Sequence, residues 1–222
     1  MSTKILVWLK SAAPFLKADK SSFSAWTAWT ASLGSTMTPP PEARARRHND
    51  YDRYIANEFV PLVRARLACE GRHGQKFMAT GCSLGAYHAA NFFFRHPDIF
   101  DTVIALSGPY SAKFSVGDFM NEDVYMNSPL SYLPNLTDPA YLEPLRQSEI
   151  IIATGQGRWE EEIIPETRAL QAILESKNIP AWVDFWGYDV DHDWPWWRIQ
   201  MPYFLSHLPN LKPAAPFSLQ DP

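Results

Sequence analysis

The stretch Gly81-Cys82-Ser83-Leu84-Gly85 decides the fold, because an apolar strand is predicted directly before it and a helix directly after it. The preceding run KFMAT (76–80) is short and apolar, which is typical of a buried strand, and residues 84–95 are rich in small and apolar residues that favour a packed helix. A serine on such a strand-to-helix turn is lifted above the sheet, in a strained backbone that favours glycine two residues away on each side. The stretch therefore predicts an exposed nucleophile at Ser83, and a chance glycine-flanked turn is the alternative.

Strands and helices alternate on both sides of this turn. Besides 76–80, apolar and β-branched runs predict strands, and residues at helical spacing predict helices. The strands are 101–108, 149–154 and 180–187; the helices are a long one from Glu42 through Leu67 that bends at Pro61, then 84–95, 163–177 and 194–208. This alternation predicts an α/β fold with a mostly parallel sheet and helices on both faces. Ligands of such sheets bind at the carboxyl ends of the strands.

Three segments fall outside this alternation. Residues 1–40 are biased toward Ser, Thr, Ala and Trp and are atypical, although KILVWLK (4–10) is compatible with one short strand. Residues 109–146 have no helical or strand period and predict a long irregular excursion or a cap, a kind of segment that often lines a site. Residues 209–222 form a polar tail. We therefore divide the chain into an N-terminal segment (1–40), a core (41–208) and a tail (209–222).

Composition restricts the class of protein and its partners. The 222 residues are 46% hydrophobic and 20% charged, which is typical of a folded globular protein and excludes collagen, coiled coils and disorder. A net charge of −4 argues against nucleic acid or anionic membrane as a partner. Lys10 ends the first apolar run early, and no run reaches the length of a membrane span, so we expect a cytoplasmic protein. Cys69 and Cys82 are expected to be reduced.

A serine hydroxyl needs a histidine base, and His192 is the best placed of six histidines. It lies in Asp189-Val190-Asp191-His192-Asp193, directly after the last predicted strand and therefore at the carboxyl edge of the sheet. A solvated acidic loop, or a metal site built from His192, Asp189 and Asp191, is the alternative. The other histidines are expected to be structural or at the surface: His48, His73, His88, His96 and His207.

The acid that orients His192 should follow the preceding strand, where Gly155-Gln156-Gly157-Arg158-Trp159-Glu160 stands. Glu160 is our choice, and Glu161 or Glu162 are the adjacent alternatives. The three glutamates are also explained as charges that favour the N-terminus of the next helix. The weaker acid candidates lie in the irregular excursion: Asp118, Asp123 and Asp138.

Four longer motifs carry a resemblance to the esterase family of α/β-hydrolases, the group that includes esterase D-like proteins. They are GCSLGAYHAANFFFRHPDIFD (81–101), YLPNLTDP (132–139), ATGQGRWE (153–160) and WGYDVDHDWPWWR (186–198). The resemblance runs from about Pro41 to about Leu208 and implies an α/β-hydrolase fold. It also implies a triad of Ser83, Glu160 and His192, in the chain order known for that fold.

The resemblance implies an enzyme that cleaves small carboxylic esters through an acyl-enzyme, without cofactor or metal. The Leu84 N–H is expected to hold the oxyanion, and a second donor should come from a loop after an early strand. No such strands and loop are recognisable before Pro41, so we expect a sheet with incomplete N-terminal strands and an unpaired edge, as in a truncated or frame-shifted chain. A noncatalytic binding protein and an acyltransferase with the same triad are the alternatives.

Overall fold

Five parallel strands form one sheet in the described part of the chain, in the order β1-β2-β3-β4-β5. The computed structural model describes residues 6–8 and 39–208. The strands are β1 (Leu6–Trp8), β2 (Phe77–Cys82), β3 (Phe100–Leu106), β4 (Glu149–Thr154) and β5 (Trp182–Phe185). All five follow the runs that predicted them, with β1 inside KILVWLK (4–10), and their ends agree to within about two residues.

The helices connect these strands and cover the sheet. They are α1 (Pro41–Tyr54), α2 (Val60–Cys69), α3 (Leu84–Arg95), α4 (Lys113–Val116), α5 (Glu122–Met126), α6 (Pro129–Tyr132), α7 (Pro139–Arg146), α8 (Ile163–Ser176) and α9 (Trp194–His207). Among the described residues, no helix combines the length and the apolar character that crossing a membrane requires.

Alternate residues of each strand bury opposite faces of the sheet. Ala79, Val103 and Ile152 belong to a larger core cluster that includes residues of α3 and α8. Their neighbours Ile104 and Ile151 belong to a second cluster with residues of α9. Helices therefore lie on both faces, as the alternation of elements predicted, and both faces of the parallel sheet are buried.

The long helix predicted from Glu42 to Leu67 is interrupted before Pro61. A π-helical turn, Ile55–Phe59, lies between α1 and α2. Proline has no N–H to donate to the carbonyl four residues earlier, here that of Asn57, and its ring crowds that carbonyl. A widened turn in front of Pro61 accommodates both effects, so the predicted bend takes the form of a π-helical insertion.

The prediction of an irregular excursion over 109–146 is wrong, because most of it is helical. Four short helices, α4 to α7, and a 3-10 turn at Leu133–Asn135 occupy it. Their starts are set by local signals: the Asn121 side chain accepts from the Val124 N–H at 2.9 Å, and Asp138 accepts from the Ala140 N–H at 2.9 Å. Helices of four to eight residues are too short to show a helical period in the sequence.

Strand β1 covers part of the edge that we expected to be unpaired. Leu6 lies opposite Met78 and Trp8 lies opposite Thr80, so β1 extends the sheet beside β2. Among the described residues β1 is the outermost strand on this side and pairs only with residues 78–80 of β2, so the sheet ends there in a short edge strand. Residues 1–5, 9–38 and 209–222 lie outside the described residues, and the division of the chain into three segments stays a prediction.

Candidate active site

Ser83 occupies the turn between β2 and α3 in a strained backbone conformation. Its φ is 56° and its ψ is −126°, and its N–H donates to the Leu106 carbonyl of β3 at 2.8 Å. The turn is tight enough that a Cβ at Gly81 would overlap the carbonyl group of Gly85. A Cβ at Gly85 would meet no other described atom within 4 Å, so only the first of the two glycines is required by close approach.

The ends of the strands are aligned in register around this serine. Cys82 pairs with Leu106, and Leu106 pairs with Ala153. Consequently Ser83, Ser107 and Thr154 follow or end neighbouring strands at one edge of the sheet. The loops after β4 and β5 begin at the same edge, the carboxyl ends of the strands, where the sequence predicted that ligands bind.

His192 reaches Ser83 from the loop after β5. Its Nε2 lies 2.8 Å from the Ser83 Oγ, within hydrogen-bond distance. The imidazole also packs edge-to-face against the indole of Trp197, with ring centroids 5.0 Å apart and an angle of 84° between the planes. The serine and histidine chosen from the sequence, 109 residues apart in the chain, are therefore in direct contact.

Glu160 lies on the far side of the His192 ring and is fully buried. Its Oε2 is 3.3 Å from His192 Nδ1, an ion-pair distance at which the N–H does not yet point at the oxygen. The two atoms are close enough that a small rotation of the imidazole ring would form the hydrogen bond. Two hydroxyls also donate to the carboxylate: Ser107 Oγ to Oε1 at 2.5 Å and Thr154 Oγ to Oε2 at 3.0 Å.

The loops that carry Glu160 and His192 are joined along their backbones. The Gly157 N–H donates to the Val190 carbonyl at 2.9 Å, and the His192 N–H donates to the Arg158 carbonyl at 3.0 Å. A Cβ at Gly155 would overlap the Val190 carbonyl, so glycine permits this approach. The two loops therefore set the distance between acid and base together.

A side-chain pair closes the same junction. The Arg158 guanidinium donates from Nη2 to Asp191 Oδ2 at 2.8 Å, and the Arg158 N–H donates to Oδ1 at 2.8 Å. These side-chain and backbone hydrogen bonds lower the pKa of Asp191, and the side-chain bond to Asp191 raises the pKa of Arg158. Asp191, which the sequence also allowed as a metal ligand, is engaged by arginine instead.

The other carboxylates proposed as the acid lie elsewhere. Glu161 and Glu162 are exposed, so neither occupies the buried position behind the imidazole. Asp118 is also exposed, Asp123 accepts from Asn49 Nδ2 at 2.6 Å, and Asp138 begins α7. Of the candidates, the structure places Glu160 alone against His192.

The remaining histidines contact other groups or solvent. His48 Nδ1 lies 3.0 Å from the Tyr87 hydroxyl, and His96 Nε2 lies 2.9 Å from Asp52. Burial lowers the pKa of His88 to about 3, with a smaller opposing effect of Asp52. Within residues 6–8 and 39–208, no three His, Cys, Asp or Glu side chains are grouped to hold a metal ion.

Sequence reasoning missed three residues that contact the acid or the base. Thr154 and Ser107 donate to Glu160, and Trp197 packs on His192 and donates from its Nε1 to Ser107 Oγ at 3.1 Å. The signal for the first two was their position at strand ends. Trp197 also lies in the core cluster that packs α9 on the sheet, which is an ordinary place for a tryptophan.

A serine on a strand-to-helix turn, facing a histidine and a buried glutamate over a parallel sheet, defines the class as α/β-hydrolase. A family model described as "Putative esterase" matches residues 17–208, and the chain belongs to that family. The match begins earlier than Pro41, where we expected the resemblance to begin. Among curated protein sequences, none matches the chain.

Solved structures share the fold at low sequence identity. A ferulic acid esterase is 22% identical with a TM-score of 0.53, and an S-formylglutathione hydrolase from Agrobacterium tumefaciens is 14% identical with a TM-score of 0.51. MPT51 of Mycobacterium tuberculosis is 14% identical with a TM-score of 0.50. Each alignment covers 69% of this chain and, in the same order, 58%, 55% and 65% of the other. The chain therefore spans less than two thirds of the length of these structures.

Proposed function

We propose that the protein is a serine hydrolase that cleaves small carboxylic esters through an acyl-enzyme. The observation that carries the proposal is the 2.8 Å contact between His192 Nε2 and Ser83 Oγ, with the buried Glu160 carboxylate on the other side of the imidazole. This is the arrangement in which an imidazole can take a proton from a serine hydroxyl while its other nitrogen is held by an acid. Membership of the esterase family supports the same reaction class.

In the first half-reaction Ser83 Oγ attacks the ester carbonyl carbon, and its proton passes to His192 Nε2. The tetrahedral oxyanion develops beside the N-terminus of α3. Leu84 is the first residue of this helix, so its N–H has no carbonyl of the helix to donate to and is left for the oxyanion. The helix dipole also favours negative charge there. The ester C–O bond then breaks, and His192 returns the proton to the leaving alcohol. Glu160 stabilises the imidazolium that forms between these steps.

In the second half-reaction a water molecule attacks the acyl-serine. His192 Nε2 takes a proton from the water, the oxyanion forms again at Leu84, and the bond between Ser83 Oγ and the acyl carbon breaks. The proton moves to Ser83 Oγ and the carboxylic acid leaves. Every step uses proton transfer and nucleophilic attack by these residues, so the proposal requires neither cofactor nor metal.

A short-chain p-nitrophenyl ester tests the proposal. We expect steady release of p-nitrophenol by the wild type and its loss in Ser83→Ala, because Ser83 carries the hydroxyl that contacts His192 Nε2. Ser206→Ala is the matched control, since this serine is exposed near the end of α9 and bonds within its own helix. A wild type without turnover, or turnover that survives in Ser83→Ala, contradicts the proposal; a protein that binds esters without turnover would be a noncatalytic relative.

A further inference from the structure

Trp197 contacts the base directly and the acid through one intermediate. Its ring lies edge-to-face against His192 at 5.0 Å, and its Nε1–H donates to Ser107 Oγ at 3.1 Å. Ser107 in turn donates to Glu160 Oε1 at 2.5 Å. The three residues of this chain of hydrogen bonds are buried: Trp197 is 6% exposed, Ser107 1% and Glu160 0%.

We propose that Trp197, acting through Ser107, is a positioning residue that holds Glu160 and His192 in register with each other. The inference rests on the proposed function, because it assigns a task to residues around that site. Trp197 lies on α9, whereas Ser107 follows β3 and Glu160 lies in the loop after β4. One indole thus connects the acid and the base from a helix that carries neither of them.

The direction of the hydrogen bonds supports this role. An indole N–H can only donate, so Ser107 Oγ must accept from Trp197. The single hydroxyl hydrogen of Ser107 is then left for Glu160, which as a carboxylate can only accept. The indole N–H thus fixes the position of Ser107 Oγ, and with it the donor on the Glu160 oxygen that His192 does not face.

The backbone of Ser107 has an unusual conformation, which supports a specific role for its side chain. Its φ is 54°, in the left-handed region that non-glycine residues seldom adopt. Its N–H donates to the Ala153 carbonyl at 2.7 Å, which ties this conformation to β4. Strain of this kind is retained where the surrounding structure over-determines it, and it concentrates at functional sites.

Trp197→Phe tests the proposal, because phenylalanine keeps much of the packing on His192 and removes the N–H. We expect kcat for the p-nitrophenyl ester to fall roughly 10- to 100-fold, with KM within about threefold, since misplacement of the acid and base affects the transition state and not substrate binding. Trp186→Phe is the matched control: Trp186 packs against the same core cluster, and its Nε1 donates to Asp184 at 3.1 Å. A kcat that falls equally in both variants, in step with stability, would overturn the proposal.

Ser107→Ala provides a second route if Trp197→Phe fails to fold. It should lower kcat by a similar factor, and the Trp197→Phe/Ser107→Ala double variant should lose little more than either single change, because both remove the same connection. Multiplying losses in the double variant would show two independent effects and contradict the proposal.

Proton NMR separates this proposal from the proposed function. The Nδ1–H of a histidine held by a buried carboxylate gives a resonance far downfield, to be assigned to His192 by its loss in His192→Gln. We expect the resonance in the wild type and Trp186→Phe, and its broadening or loss in Trp197→Phe and Ser107→Ala. A resonance unchanged in both latter variants refutes the positioning role even if the wild type hydrolyses esters. An inactive wild type that shows the expected pattern refutes the hydrolase alone.

Discussion

Arg158 and Asp191 join the loop that carries Glu160 to the loop that carries His192. Two guanidinium nitrogens of Arg158 donate to Asp191 Oδ2, at 3.0 Å from Nε and 2.8 Å from Nη2. The Arg158 side chain is 76% exposed, so we assign the pair a geometric role between the two loops and no large contribution to global stability. The site thus has a solvent-facing junction above its buried acid.

The first prediction concerns the pH dependence of this junction. The hydrogen bonds from Arg158 lower the pKa of Asp191 in the folded protein. The contribution of the ionised Asp191 to the free energy of unfolding is therefore fully present above the ordinary pKa of an aspartate, about 3.9. This contribution is lost as the pH falls through the lower pKa that Asp191 has in the folded protein. We expect the difference in unfolding free energy between wild type and Asp191→Asn to be constant near neutral pH and to shrink below about pH 4.

Urea unfolding at a series of pH values measures this difference. Asp189→Asn is the matched control, because Asp189 is exposed in the same loop. A difference between wild type and Asp191→Asn that grows toward acid pH would show that the sign of the coupling is wrong.

The second prediction concerns the two glycines around Ser83. Gly81→Ala should destabilise the protein by about 1–3 kcal/mol or more, because the added Cβ overlaps the backbone carbonyl of Gly85, which cannot rotate away. Gly85→Ala should leave the unfolding free energy unchanged or raise it slightly, since its Cβ has space and alanine favours a helix. Equal stability of the two variants in urea unfolding would contradict the close approach that we describe.

The third prediction assigns the acid. Glu160→Gln should lower kcat by roughly 10²- to 10⁴-fold, because an amide neither stabilises the imidazolium nor fixes its tautomer. The kcat of Glu161→Gln should remain within about twofold of the wild-type value, since the Glu161 side chain is exposed and Glu160 is the carboxylate beside His192. Steady-state hydrolysis of the p-nitrophenyl ester compares the two, and a larger loss in Glu161→Gln would move the assignment.

Much of the fold was readable from the sequence because its elements carry strong local signals. The runs FMATGC and EIIIAT bury alternate residues on both faces of a parallel sheet, so most of their residues are apolar. Helices α4 to α7 were missed because each has only four to eight residues, too few for a helical period to show in the sequence. The contact of β1 with β2 depends on pairing across about 70 residues, which local pattern does not specify.

The site was readable where strand order alone fixes position. Ser83, His192 and Glu160 each follow a strand, so the parallel sheet brings them to one edge. The support around Glu160 was not readable, because Ser107 and Trp197 meet only through the packing of α9 on the sheet. From the sequence alone, a serine at the end of a strand and a tryptophan in a segment rich in aromatic residues are explained by structure, so neither residue indicates a role at the site.

The most direct measurement of the central claim is covalent labelling with a fluorophosphonate, followed by mass spectrometry of the intact protein and its peptides. We predict one phosphonyl group per chain on the peptide containing Ser83, with labelling abolished in Ser83→Ala and greatly slowed in His192→Gln. Absence of labelling in the folded wild type, or a label on another residue that persists in Ser83→Ala, would contradict the claim that His192 activates Ser83.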